Sequence, residues 1–511
     1  MGAGGPMKGP PVSRVAVAVI AVTGLGAALR FLDLGAQGFW YDEAYSAYFF
    51  RLPPLVMFRL IPKVESTPPL YYAVGWVWAR AFGTSEAGLR ALSALVGTAV
   101  VPVAYLIGRR LVSVRAGVLA ALLTACSPLL VWYSQEARAY SLLVLLTALA
   151  LLAFLHALDR PTRVTLAAWA AASALALATH YLAMIAVIPE AAWLLIRHRR
   201  RLAAWGAAAA VAVTGCALLP LALTQDETLH TAWIARIPLD RRLGQLGDQF
   251  VSGFAGYPLL TAVAGAGAGV EILLLLRAGP RERRGALGMA VLGTSGLALA
   301  LALVALGSDD LITRNVIAAW LPLALAVAIG LSGRVPPLPA VAAALAVCGV
   351  GVVATMLVDS RAGLQRPDWR RVVRALGAAH GERLVALENY RPEIPLLLYR
   401  PDLVRLHGRD KARVSEIDVV APDTPSGRSC WWGAACNLSR GRAPGAPPGF
   451  AIDSEVEIPN FDVYRLRAAR SRELRIRRLR GELRYLKTGA VLLERPGARS
   501  PDLSMIRGRS T

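Results

Sequence analysis

Four short polar clusters interrupt an otherwise apolar chain, and their residue types suit transfer of a group away from an anionic leaving group. The first is Asp42 and Glu43 in Gly38-Phe39-Trp40-Tyr41-Asp42-Glu43-Ala44-Tyr45-Ser46. The others are Ser134-Gln135-Glu136-Ala137-Arg138-Ala139-Tyr140, Thr179-His180-Tyr181 and Thr313-Arg314-Asn315. A carboxylate among aromatic rings, partly stripped of water, is a better general base than one in bulk solvent. Guanidinium groups, a histidine and helix N-termini with unpaired amides are what a buried phosphate needs. Each residue also has a plain structural use: Asp42 ahead of a helix is a good N-cap, and Arg138, His180 or Arg314 at a helix end can cap or snorkel. Convergence of all of them on one side of a membrane favours the chemical reading.

Apolar segments must position these clusters. Eleven stretches can be marked, near residues 15–33, 87–108, 115–133, 139–157, 164–180, 181–197, 203–222, 257–277, 286–306, 314–331 and 336–358. Each is close to the roughly 20 residues that cross a bilayer core. With the first crossing outward from a start that carries Lys8 and Arg14, every second connection is arginine-loaded. These connections hold Arg109, Arg110 and Arg115; Arg160 and Arg163; Arg197, Arg199, Arg200 and Arg201; Arg277, Arg281, Arg283 and Arg284; then Arg334. That positive-inside pattern predicts a cytoplasmic N-terminus over 1–14 and puts Asp42, Glu43, Glu136, Asp226, Glu227, Asp309 and Asp310 on the external face. The expected fold class is an all-α polytopic membrane protein over 15–358, about eleven helices, followed by a small extracytoplasmic α/β domain over 359–488.

Two external connections are long enough to carry structure of their own. In the first, 34–86, residues 39–52 are spaced as a helix lying along the interface, and 68–82 as a surface or partly inserted helix started by Pro68-Pro69. The second, 223–256, contains Asp226, Glu227, His230, Trp233, Arg236, Asp240 and Arg241.

Composition supports this class. A chain of 511 residues that is 55% hydrophobic, with mean hydropathy +0.48, is too apolar for a soluble enzyme. Much of the formal charge of +22 sits in the orientation-setting loops, so membrane lipids are expected as partners and nucleic acid is not. Lys8 and Arg14 before an apolar run mimic a secretory signal, but no small-residue cleavage site precedes Arg30 and Asp33, which predicts a retained first helix. Cys126, Cys216 and Cys348 fall in apolar spans as small buried side chains. Cys430 and Cys436 flank Trp431-Trp432-Gly433-Ala434-Ala435 in the external domain, where an oxidising milieu predicts a short-loop disulfide; zinc is the weaker reading, with no second ligand pair nearby.

Within the soluble end, residues 369–379 read as a helix, and 383–387, 417–421 and 461–466 as short strands. Residues 467–487 are arginine-rich with Ile476, Leu479, Leu483 and Leu486 on one helical face. Two readings stay open for them: a solvated helix packed on the domain, or a basic amphipathic helix resting on anionic lipid or a phosphate-bearing glycan. Residues 489–511 are expected to be a loose tail.

The order of Tyr41-Asp42-Glu43, Pro68-Pro69-Leu70-Tyr71-Tyr72, Arg90, the 134–140 motif, Thr179-His180-Tyr181 and Arg314 resembles bacterial integral-membrane glycosyltransferases of the GT-C fold. The nearest likeness is to the protein-mannosyltransferase and aminoarabinose-transferase superfamily, including its lipopolysaccharide-galacturonosyltransferase-like branch. It covers about residues 15–331, with a weaker likeness at Gln365-Arg366-Pro367-Asp368-Trp369-Arg370. The resemblance implies an enzyme of the cell membrane that takes a sugar from a polyprenyl-phosphate carrier on the external leaflet and passes it, with inversion, to a glycan, lipid or protein acceptor. It implies Asp42 as catalytic base with Glu43 beside it, Arg138, His180 and Arg314 on the donor phosphate, and Tyr41, Glu136, Tyr140 and Tyr181 lining the substrate. Many relatives carry a His or Lys just before the Pro-Pro pair; this chain has Thr67 there, so its phosphate contacts are expected to be assembled differently. The metal requirement is left open, since an adjacent Asp-Glu pair is compatible with a divalent ion but short of a ligand set. Two other classes fit a basic and acidic rim: a transporter or flippase of a polyprenyl-linked sugar, and a noncatalytic membrane scaffold. Spans that are Ala, Leu and Val through their centres, with ionisable groups at their ends, argue for chemistry at the surface over transport through the midplane.

Overall fold

The computed structural model of the chain describes residues 13–228, 230–332, 337–379, 381–387, 393–422, 443–483 and 489–495. Cys430 and Cys436, and with them the expected disulfide, lie outside the described residues, as does Arg334. Each of the eleven apolar stretches carries a helix. Among the described residues, 7 helices are long and apolar enough to cross a membrane: Arg14–Phe31, Glu86–Leu111, Tyr140–Asp159, Leu202–Asp226, Pro258–Leu275, Pro280–Ala305 and Leu338–Ser360. Val114–Cys126 and Pro128–Ser134 make one more if the pair, bent by 58°, is a single span. The other stretches hold shorter helices, Arg163–Thr179, Met184–Arg197 and Trp320–Leu331, the last preceded by a tight turn at Ile317–Ala319. The chain is therefore a multi-pass, mostly helical membrane protein with a small sheet domain near its C-terminal end.

Contacts divide the chain into two units: Met1–Leu32, Leu60–Tyr71 and Arg90–Met356 in the first, and Asp33–Arg59, Tyr72–Leu89 and Leu357–Thr511 in the second. The sequence reading gives the whole of 34–86 to the membrane domain; most of it instead belongs with the C-terminal part of the chain. Sequence also misses the helix Pro54–Val64 between the two expected ones, Tyr41–Arg51 and Leu70–Phe82.

In the first unit the helices start where side chains can serve free amides. Ser113 accepts from Ala116 ahead of Val114–Cys126, and Thr162 and Thr165 form a reciprocal cap on Arg163–Thr179. The bend at Ser127-Pro128 has a local cause. Pro128 has no amide to give the Thr124 carbonyl, while the Ser127 hydroxyl accepts from Leu130 and starts the new helix. Arg30, fully buried on the first helix, fills the gap: its guanidinium donates to Thr124 at 2.9 Å, Ala125 at 3.0 Å and Gly26 at 2.9 Å. A cation at the C-terminal end of Val114–Cys126 also suits the helix dipole.

The second unit is built on a six-stranded sheet of order β2-β6-β1-β3-β5-β4. The strands are β1 (Arg383–Leu387), β2 (Val404–Leu406), β3 (Lys411–Pro422), β4 (Ala451–Ile458), β5 (Phe461–Arg475) and β6 (Val491–Glu494), with β1 and β3 parallel and the other pairs antiparallel. Both faces are covered, which is why β1 and β6 read as nearly continuous apolar runs. Val385, Leu387, Val420 and Leu492 pack with Trp369, Val372 and Leu396 on one side; Leu384, Ala386, Ile417, Val419 and Leu493 pack with Ile476, Leu479 and Leu483 on the other. Across the middle runs a buried ion-pair chain, Glu494–Arg383–Asp418–Arg465, one residue from each of four adjacent strands.

This packing corrects two expectations. Residues 467–475 continue β5, and only Ile476–Glu482 is helical; Ile476, Leu479 and Leu483 are buried in the sheet core, so they form no surface-resting apolar face, and Leu486 lies outside the described residues. The expected tail from 489 contains β6, a strand held between β1 and β2; residues 496–511 lie outside the described residues.

Candidate functional site

In the first unit the 134–140 motif forms the link between Pro128–Ser134 and Tyr140–Asp159. It is pinned from several sides. Gln135 donates to the Leu29 and Leu32 carbonyls at the end of the first helix, Ser93 to the Arg138 carbonyl at 3.4 Å, and Ser141 to the Tyr133 carbonyl at 3.0 Å. Ser93 lies one turn beyond Arg90, and Arg90, Glu136 and Tyr140 are all buried.

Arg138 does not point into solvent. Its two terminal nitrogens each donate at 3.0 Å to one oxygen of Glu65, and both side chains are more than nine-tenths buried. Glu65 comes from the link between Pro54–Val64 and Leu70–Phe82. That link is held by Gln225, which donates to the carbonyls of Ile61 at 3.3 Å and Thr67 at 3.1 Å and accepts from the Tyr181 hydroxyl at 2.7 Å.

His180 caps the end of Arg163–Thr179, where its Nδ1 accepts from the Leu182 amide at 3.2 Å. It is buried, its ring lies 6.1 Å from that of Tyr140, and the charges of Arg314 and Arg138 both act on it. Arg314 stands in the segment between Pro280–Ala305 and Ile317–Ala319, with its guanidinium 5.6 Å from the centre of the Trp233 ring. Asn315 donates to the Asp310 carbonyl at 2.8 Å, and Arg242 grips Asp309 through both terminal nitrogens at 2.5 and 2.8 Å. Burial pushes the Asp310 carboxyl above the ordinary aspartate range, with Thr231 and Arg314 acting against that and Asp226 and Asp309 adding to it. The long connection 223–256 thus has structure of its own, including the helix Leu239–Ser252 that carries Arg242. Arg138, His180, Arg314, Tyr140 and Tyr181 are brought into one neighbourhood.

Tyr41, Asp42 and Glu43 belong to the second unit and open the helix Tyr41–Arg51. The N-cap position is taken by Trp40, so the capping reading of Asp42 does not hold; Asp42 and Glu43 lie in the first turn, where a negative charge suits the helix dipole. Glu43 is fully buried, and the Tyr41 and Tyr45 rings stand 5.1 Å apart. The helix is held against Leu70–Phe82: Trp76 donates to the Leu52 carbonyl at 2.9 Å and Arg80 to that of Phe50 at 2.6 Å, while Gly75 leaves room for the Phe50 ring.

The strand of chain leading into Asp42 is fixed by the C-terminal part. Arg370 donates to the Gly35 and Ala36 carbonyls at 2.9 and 2.8 Å. Gly38 sits so close to the Asp368 carboxylate that any side chain there would collide with it. Tyr399 accepts from the Phe39 amide at 2.6 Å and donates to Glu86 at 2.8 Å; burial first, and Glu86 beside it, hold its phenol well above the usual range, so it stays protonated. The 365–370 motif therefore serves as an anchor for the segment before the acidic pair. Among the described residues no group of three or more His, Cys, Asp or Glu is placed to hold a metal ion.

Sequence gives no reason to single out Gln225 or Tyr399, whose roles arise only from contacts with distant chain. Glu65 has one signal, an acid in a mostly apolar stretch just ahead of Pro68-Pro69.

Residues 66–234 match the family described as dolichyl-phosphate-mannose-protein mannosyltransferase. The matched part holds Pro68-Pro69, Arg90, the 134–140 motif and Thr179-His180-Tyr181, so the likeness read from those motifs is found independently there. No curated protein matches the chain. Among solved structures, ArnT from Cupriavidus metallidurans in the apo state is similar at 17% identity over 72% of this chain and 67% of that one, TM-score 0.45. The Archaeoglobus fulgidus oligosaccharyltransferase in complex with Zn and sulfate is similar at 16% identity over 70% of this chain, TM-score 0.43, and the present chain spans 55% of its length. The S. cerevisiae protein O-mannosyltransferase Pmt1-Pmt2 complex is similar at 15% identity over 43% of this chain and 34% of that one, TM-score 0.33.

Proposed function

We propose that the protein is an inverting glycosyltransferase that moves a sugar, hexose or pentose, from a polyprenyl-phosphate carrier to a glycan, lipid or protein acceptor on the external face of the cell membrane. The observation that carries this reading is the gathering of Arg138, His180 and Arg314, from three separate connections of the helical unit, with both guanidinium charges acting on the histidine. Such a set suits a phosphate better than it suits a neutral ligand. The positive-inside pattern assigns those connections, and Asp42, to the external side.

In this mechanism the Asp42 carboxylate takes the proton of an acceptor hydroxyl. The hydroxyl oxygen bonds to the anomeric carbon from the face opposite the phosphate, and the carbon–oxygen bond to the phosphate breaks with its electron pair going to the leaving group. Arg138 and Arg314 hold the carrier phosphate in the intact donor and stay paired with it as it departs, so their contact is a binding contact present throughout the step. Glu43 beside the base, and Tyr41, Glu136, Tyr140 and Tyr181, would shape the sugar and acceptor sites.

The test is to supply purified protein with a panel of polyprenyl-phosphate sugars and an envelope extract as acceptor source. Consumption of one donor with release of free polyprenyl phosphate is expected. A protein that binds none and consumes none overturns the reading.

A further inference from the structure

We propose that Glu65 is a positioning residue: held from behind by Gln225, it fixes the Arg138 guanidinium in the orientation that recognises the donor phosphate. This rests on the glycosyl-transfer reading above and names how its phosphate contact is set.

Three observations carry it. The Glu65–Arg138 contact is bidentate, with two parallel bonds of 3.0 Å, and a fork–fork pair fixes the plane of the guanidinium as well as its distance. Glu65 is itself immobilised. Gln225 holds the carbonyls of Ile61 and Thr67, one on each side of Glu65 in the chain, so the short link that presents the carboxylate is pinned at both ends. Pro68-Pro69, directly after Thr67, removes further backbone freedom. Third, the same Gln225 accepts from Tyr181, the neighbour of His180. Arg138 and His180, carried by different connections, are thereby tied into one frame through Glu65, Gln225 and Tyr181. A buried ion pair contributes little net stability relative to apolar side chains of the same volume, so what this one supplies is direction.

A residue that acts through Arg138 has a signature that a merely structural one lacks. Steady-state kinetics with the donor found by the panel would be run on the full chain as wild type, Glu65→Gln, Arg138→Gln and the double variant, each with a thermal melt. Glu65→Gln is expected to raise the donor KM about tenfold or more with kcat within about threefold, as for loss of a charge-assisted contact. In the Arg138→Gln background the same change is expected to do nothing further to KM. Glu65→Asp, which keeps the charge but withdraws the fork, should fall between wild type and Glu65→Gln. Should Glu65→Gln fail to fold, Glu65→Asp decides: a donor KM equal to wild type overturns the proposal. It is also overturned by an unchanged KM in Glu65→Gln, by a loss that falls on kcat alone, or by an undiminished effect in the absence of Arg138. Wild-type protein that consumes no donor refutes the glycosyl-transfer reading itself, a different result from normal turnover that ignores Glu65.

Discussion

The Tyr399 hydroxyl accepts from the amide of Phe39 across 360 residues of chain and donates to the Glu86 carboxylate. Phe39 is three residues ahead of Asp42, so a side chain of the C-terminal part sets the entry to the helix that carries the proposed base. Tyr399→Phe keeps the ring but removes the hydrogen bonds to the Phe39 amide and to the Glu86 carboxylate. We expect a loss of about 1–3 kcal/mol in stability. Slack in the segment before Asp42 should lower kcat about tenfold while leaving the donor KM within about twofold. Melting and kinetics equal to wild type would remove Tyr399 from this role.

Asp42→Asn tests the base directly. Asp42 is not the cap of its helix, and the loss of one charge in the first turn costs only about 0.3–1 kcal/mol. The variant should stay folded and membrane-inserted, while transfer falls about 10²–10⁴-fold, the range of general-base catalysis. Retention of full activity would exclude Asp42 as base.

Arg314 lies over the Trp233 ring, a contact that favours a flat, delocalised cation. Arg314→Lys keeps the charge and discards both the fork and the stacking. A donor KM about tenfold higher is expected. If lysine supports the wild-type KM, charge alone is what position 314 supplies, and a directional phosphate contact there is ruled out.

Orientation can be read independently of activity. A reporter fused after Arg201 should be active on the cytoplasmic side, because the arginine-loaded connection 197–201 alternates with those that hold Asp42, Glu136 and Asp310. An external signal would move the whole candidate site to the wrong face.

The helical unit was largely readable from composition, since long apolar runs admit few alternatives: each of the eleven stretches carries a helix, and among the described residues 7, or 8 with the bent pair, are long and apolar enough to cross a membrane. Parts of strands β1, β3 and β5 were readable as short strands, and the start of β5 at Phe461 was marked correctly. Its length was not. The Arg-rich stretch Arg-Ala-Ala-Arg-Ser-Arg-Glu-Leu-Arg over 467–475 has no β-branched or aromatic residue to signal a strand, and pairing with β3 decides the conformation there, as tertiary context does for strands generally. Leu479 and Leu483 were rightly grouped on one face, but nothing in sequence distinguishes a face for lipid from one for a sheet. For the proposed site, Arg138, His180 and Arg314 could be singled out from sequence because they fall in short polar clusters on the side that the positive-inside pattern assigns to the exterior. The Arg138 partner Glu65, the Arg314 partner Trp233, and Gln225, which pins the link bearing Glu65, were chosen by three-dimensional proximity, with sequence separations from 73 to 164 residues for the bonds of Glu65 and Gln225 to Arg138, Thr67 and Ile61.

Arg30 offers a test of why the chain bends where it does. The Thr124 carbonyl faces residue 128 in the helical hydrogen-bond pattern, and Pro128 has no proton to offer; the Arg30 guanidinium donates to it instead and to Ala125 beside it. Arg30→Met fills a similar volume and donates nothing, so two buried carbonyls lose their partner. The expected cost is about 2–6 kcal/mol, at 1–3 for each orphaned group, measured by thermal or denaturant unfolding in a fixed detergent. Pro128→Ala restores an amide at position 128, and in that background Arg30→Met should cost clearly less, a coupling that a double-mutant cycle resolves. Equal costs with proline and with alanine at 128 would mean that Arg30 serves some purpose other than completing the broken helix.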